Sequence, residues 1–282
     1  MLKGLLDPKI DFVFKKIFGS EKHPKILISF LNATMKPESP IVRVEIKNTD
    51  IEKHFLEDKF SRLDVRAETD EKEIINVEIQ LKNEYNMIRR SLYYWSKLYE
   101  EQLGEGEDYS KLKRTVCINI LNFKYLKNER FHNGYRLKER ETNEELTDVI
   151  EIHFIEIPKL KENSNEKDML VAWTEFLKNP ESAKIRDLEM SVEEIKEAKD
   201  ELVRISNDKE ERALYEMRSK ILKDKISALN KAKEDGREEG REEGIEQGKL
   251  EIAKNLLDIL DDETISQKTG LEIEKIKELR NK

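Results

Sequence analysis

The chain has 282 residues, 40% of them charged and 37% hydrophobic, with a formal net charge of −8 and a mean hydropathy of −0.78. That length allows one substantial core plus an appendage, and no apolar run approaches the roughly 18 residues of a membrane span. A single cysteine, Cys117, excludes an internal disulfide and, with four histidines, argues against a structural zinc site.

The start of the chain, MLKGLLDPKIDF, does not read as a signal peptide. The expectation is a cytoplasmic protein with no membrane partner. The acidic balance argues mildly against nucleic acid, but binding depends on where the charges sit.

In chain order, Asp11 to Phe18 reads as a short helix and Pro24 opens a second, ended by Lys36-Pro37. Ile41 to Ile46 alternates as a strand. Ser61 to Ala67 and Ile74 to Leu81 read as two more strands, with Thr69 to Glu73 as the turn. Asn86 to Leu103 predicts a helix with Ile88, Leu92, Trp95 and Tyr99 as its buried stripe. Lys113 to Phe123, Tyr135 to Arg140 and Val149 to Ile157 are further strands, and Pro158 ends the sheet. Helical patterns alone follow, from Met169 to Leu177 and from Ser191 to Asn230. Composition therefore divides the chain into 1–160, a charged helical region 161–231, and a tail 232–282.

The hairpin SRLDVRAETDEKEIINVEIQLK carries the chemistry. Alternate strand residues share a face, so a turn centred on Glu71 sets Leu63 against Ile79, Val65 against Val77 and Ala67 against Ile75. The same register sets Asp64 opposite Glu78, with Gln80 on the same face. Two carboxylates about 4.5–5.5 Å apart across a sheet repel unless a cation lies between them. Oxygen ligands of this kind suit Mg²⁺ or Mn²⁺. The hairpin alone equally allows two exposed acids on a one-sided sheet.

Asp64…Glu78-Ile79-Gln80 resembles the D…(D/E)-x-K signature of the PD-(D/E)XK nucleases, with Gln in place of Lys. LLDPKIDFVFKKIFG, RLDVRAETD, INVEIQL, the RRSLYYWSKLYEEQLGEGEDYSKLKRTVCINILNF stretch and the glycine-punctuated tail follow in order. Over essentially the whole chain these resemble the Rpn family of recombination-promoting nucleases and transposases.

The resemblance implies an α/β fold with an α-β-β-β-α-β core in residues 1–160, followed by an all-α extension. It also implies metal-dependent cleavage of DNA with little sequence preference, in recombination or mobile-element processes. Asp64 and Glu78 would ligate the metal with the backbone carbonyl of Ile79, and Gln80 would orient water but not act as base. Lys82, expected on the face of Gln80, is a substitute for the missing lysine. Asp11 matches the family's D-x-x-F-K start and is either a third carboxylate or a first-turn acid on the helix dipole. Arg90, Tyr94 and Lys97 share a helix face that fits DNA phosphate, or, for Tyr94 and Lys97, packing and solvent.

In the tail, Gly236, Gly240, Gly244 and Gly248 recur every four residues. They fit either a self-associating helix or a flexible linker. The last segment reads as two helices about Thr269-Gly270-Leu271, with Glu272, Glu274 and Glu278 where base-reading side chains would stand. Packing or assembly suits it better than DNA. The partners expected are DNA and a second copy of the chain through the C-terminal helices. The competing reading is a catalytically degenerate DNA-binding or assembly protein.

Overall fold

The structure, a computed structural model, describes residues 4–47, 65–83, 85–165 and 168–281. Among them, strands β1 (Val44–Lys47), β2 (Val65–Thr69), β3 (Ile74–Gln80), β4 (Thr115–Leu121), β5 (His132–Lys138) and β6 (Glu145–Glu156) form one mixed sheet in the order β1-β2-β3-β4-β6-β5. β1, β2 and β3 are an antiparallel meander; β3, β4 and β6 run parallel, and β5 closes antiparallel on β6.

The hairpin has the register that hydrophobic alternation requires, with Val65 opposite Val77 and Ala67 opposite Ile75. Its turn is closed by Thr69 and Glu73, which pair through the backbone while Lys72 takes a left-handed φ of 68°. Asp64 lies outside the described residues. In the parallel part, Glu78, Asn119 and Phe154 stand level across β3, β4 and β6, so their side chains share a face.

Helix α3 (Met87–Glu100) crosses from β3 to β4 and packs on that face. Its Met87, Tyr94 and Leu98 join Ile74, Cys117, Leu121, Ile152 and Phe154 in one cluster. The stripe expected to be buried is so only in part: Trp95 packs against this cluster, but Ile88 is 47% exposed and Leu92 43%, while Met87, Ser91, Tyr94 and Leu98 face inward. Ser91 is small enough to bring the helix close to β4, where its Oγ accepts from Asn119 Nδ2.

A second core gathers α1 (Asp11–Phe18), α2 (Pro24–Met35), α4 (Met169–Lys178), α5 (Ala183–Leu188) and α6 (Glu193–Asn207). Phe18 packs edge-on to both Phe30 and Trp173, and stacks with Phe14 at 4.6 Å. Pro158 does end the sheet, but the compact unit runs on past residue 160 because Leu170, Trp173, Phe176 and Leu202 complete this core. The chain divides instead into units 1–219 and 220–282.

The run read as helical from Ser191 to Asn230 breaks at Asp208, whose carboxylate accepts from the amides of Glu210 and Glu211 and so starts a new helix. That helix, α7 (Lys209–Leu256), is continuous over 48 residues and includes all four tail glycines. In the second unit its end packs with α8 (Asp262–Thr269) and α9 (Ile273–Arg280) around Ala253, Ile265, Leu271 and Ile276. Gly270, at φ 70°, makes the left-handed turn between α8 and α9. Arg280 reaches back to Asp262 and to the carbonyls of Leu257 and Leu260, closing the small core.

Candidate active site

β3 is buried on both faces except at its last residue, because α3 covers the side that a one-sided sheet would leave wet. Glu78 is therefore 2% exposed rather than a surface acid. A buried carboxylate needs partners, and two converge on one oxygen. Gln80 Nε2 donates to Glu78 Oε1 at 2.8 Å, and Arg90 Nη2 lies 2.5 Å from the same atom. Glu78 Oε2 is buried with no hydrogen-bond partner among the described residues.

The local fold explains the convergence. Gln80 is two residues beyond Glu78 on the strand and projects the same way. Arg90 sits in the first turn of α3, and its guanidinium lies 5.2 Å from the centroid of the Tyr94 ring one turn on. The helix is held in place on β4 by polar contacts. Trp95 Nε1 donates to the carbonyl of Thr115 at 2.9 Å, Gln102 Nε2 to Thr115 Oγ1 at 2.8 Å, and Asn119 Nδ2 to Ser91 Oγ at 2.9 Å. Asn76, two residues before Glu78, also has a buried side-chain oxygen without a partner among the described residues.

The orphaned Oε2 fits a cation better than it fits water-free burial, since an unmet carboxylate oxygen is costly. The donors here are oxygens, which suit Mg²⁺ or Mn²⁺. Burial, reinforced by the charge of Glu78, pushes the Cys117 thiol well up, so no thiolate is offered. Among the described residues no three His, Cys, Asp or Glu side chains form a metal-binding group. The second carboxylate expected at this site, Asp64, is outside them.

The other expected residues are dispersed. Asp11 is half exposed on α1 and accepts from Arg218 Nη1 at 2.6 Å. Ile79 points its side chain to the opposite, apolar face. β3 stops at Gln80 and the chain bends at Leu81 and Lys82, so Lys82 lies beyond the strand. Tyr94 is a core residue under Arg90, and Lys97 is half buried on the same helix. Arg90, expected toward phosphate, has its Nη2 against Glu78 Oε1. Sequence reasoning missed Asn119 and Ser91; the signal for Asn119 was an amide at the centre of an apolar strand, TVCINIL.

A second buried polar cluster lies on β5 and β6. Glu151 accepts from His153 at 2.6 Å, from Arg136 Nε at 2.7 Å and from Arg114. His153 Nδ1 is 2.9 Å from His132 Nε2, and the two rings stack. Gly134 makes room for them, since a Cβ there would come within 3.1 Å of the His153 ring. Burial raises the tendency of Glu151 to hold a proton, but its bonds to His153 and Arg114 prevail and bring it down to about 2. Burial, with the neighbouring His153, brings His132 down to about 4.

A family model described as PD-(D/E)XK nuclease family transposase matches residues 8–232. The chain belongs to this family. The match spans the whole sheet and α3. No curated protein and no solved structure matches the chain. No helix among the described residues is long and apolar enough to cross a membrane.

Proposed function

We propose that this protein is a divalent-metal-dependent DNA endonuclease that hydrolyses phosphodiester bonds with little sequence preference, in recombination or mobile-element processes of the cytoplasm. The observation that carries the reading is the Glu78 carboxylate. It is buried, fixed through Oε1 by Gln80 and Arg90, and left with Oε2 unmet among the described residues.

In this reading Glu78, the carbonyl of Ile79 and Asp64 would hold Mg²⁺ or Mn²⁺. The bound ion supplies Lewis-acid stabilisation of the phosphate charge and a more acidic water. The chain's own residues do the rest. Gln80 holds Oε1 and, having no titratable proton, orients but does not accept protons. The dry wall formed by Met87, Tyr94 and Phe154 lowers the local dielectric and strengthens each charge contact. Asp11 and Lys97 stay in the reading as a further acid and a phosphate contact on the same unit, and α7 pairs with a second copy of the chain.

The test is nicking of supercoiled plasmid with Mg²⁺, with EDTA, and with the Glu78→Gln variant. Cutting that persists in folded Glu78→Gln protein removes this carboxylate from the chemistry.

A further inference from the structure

The signature of this family's superfamily places a lysine where this chain has Gln80, so the site lacks one positive charge on its strand. We propose that Arg90 makes up that charge from α3, acting as the positioning residue that pins Oε1 of Glu78 and presents Oε2 to the cation. The inference rests on the nuclease reading and adds to it which residue replaces the lysine.

Three observations carry it. First, Gln80 and Arg90 meet on one oxygen, at 2.8 and 2.5 Å, so the amide and the guanidinium together do what one ammonium on the strand would do. Two donors on Oε1 also stop the carboxylate from rotating, which leaves Oε2 aimed away from both. Second, Arg90 is not a mobile surface arginine. Its guanidinium rests near the buried Tyr94 ring, and α3 is fixed to β4 through Trp95, Gln102 and Ser91. A preorganised charge costs no reorganisation when charge develops at the phosphate. Third, β3 ends at Gln80 and the chain bends at Leu81 and Lys82, so the lysine nearest in sequence, Lys82, lies beyond the strand.

A fixed cation beside a metal ligand has two opposite effects, and they make the test specific. It repels the metal, so its removal should tighten metal binding. It orients the ligand and offsets phosphate charge, so its removal should slow cutting. A residue needed only for folding would lose both together, and a residue needed only to hold DNA would raise KM without touching the metal.

The experiment uses the full chain. Mn²⁺ binding is measured by calorimetry without DNA, and plasmid nicking is measured separately. For Arg90→Gln we expect Mn²⁺ to bind about tenfold tighter, and kcat to fall about 100-fold with KM unchanged. Arg90→Lys should keep most of the activity. Gln80→Lys in the Arg90→Gln background should recover nicking to within about tenfold of wild type, because it returns the charge to the strand.

The proposal is overturned if Arg90→Gln nicks at the wild-type rate, if its defect lies in KM, or if Gln80→Lys fails to rescue it. Should Arg90→Gln not fold, Gln80→Lys alone decides. A second cation at Oε1 should weaken Mn²⁺ binding about tenfold, and unchanged or tighter binding overturns the proposal. Glu78→Gln separates the two readings. If it cuts as wild type, the nuclease reading falls, whereas Mn²⁺ affinity that rises in Arg90→Gln and vanishes in Glu78→Gln still supports the charge role of Arg90. A wild-type chain that binds no Mn²⁺ overturns both.

Discussion

Val65 on β2 stands opposite Val77 on β3, and the same register sets Arg66 against Asn76 and Ala67 against Ile75. The proposed site pairs Glu78 with Asp64 as metal ligands. Asp64→Ala and Glu78→Gln are therefore each expected to abolish detectable nicking, since either removes a metal ligand. Mn²⁺ should replace Mg²⁺, and EDTA should stop the reaction. The hairpin-turn variant Glu71→Ala is the control and should cut as wild type. Asp64→Ala protein that is folded and cuts at full rate would end the two-carboxylate reading.

The hairpin was legible because alternation is a local signal that keeps Val65, Ala67, Ile75 and Val77 on one face, and the short turn between the strands selects the register. The burial of Glu78 was not legible. It depends on α3 lying over the sheet, and the rotation of α3 is set by Ser91 meeting Asn119, a contact between residues 28 positions apart. A pattern count favours Ile88 and Leu92 as the inner stripe because they are apolar, and it has no way to weigh a serine that fits against a strand. The same limit hid the Arg90–Glu78 pair and the Glu151–His153–His132 chain, where each residue alone is unremarkable and only the sheet register brings them together.

The Glu151 cluster makes a prediction about acid. His132, held near 4 by burial and by His153, binds a proton less readily in the fold than in the unfolded chain, whose value is near 6.5. As pH falls from about 6.5 toward 4, the unfolded state takes up the proton first, so stability drops across that window. Glu151, brought down to about 2 against a usual 4.5, works in the same direction. Its stabilisation is present above about 4.5 and is lost as pH falls toward 2. Urea midpoints measured from pH 7 to pH 4 should fall steadily. His132→Gln should flatten the upper part of that curve, and an unchanged slope would remove His132 as its source.

Lys159 and Glu156 form a pair with almost no solvent contact. Lys159 Nζ also donates to the carbonyls of Leu126 and Asn128, while Glu156 Oε1 accepts from the amides of Tyr125 and Leu126. The pair thus fastens the loop after β4 to the end of β6. Lys159→Met leaves the carboxylate buried without its cation and strips two carbonyls of their donor. The expected loss is about 3–5 kcal/mol in urea unfolding. A loss under about 1 kcal/mol would mean that water reaches Glu156.

The four glycines of α7 lie where an added Cβ would meet nothing within 4 Å. No contact among the described residues requires them, yet each weakens a helix interior by about 1 kcal/mol relative to alanine. Replacing Gly240 and Gly244 by alanine should therefore raise the thermal stability of the helix in an isolated chain. If two copies of α7 meet along the glycines, the same substitutions push the helices apart, and the mass seen by light scattering should fall toward that of one chain. Removing residues 220–282 should lower the mass in the same way while metal-dependent nicking by the remaining unit survives in part. The two measurements separate the explanations: higher helix stability with unchanged mass makes the glycines dispensable for assembly, and higher stability with lost mass places the contact between copies on that band. A mass of one chain for the wild-type protein would remove the self-association of α7 altogether.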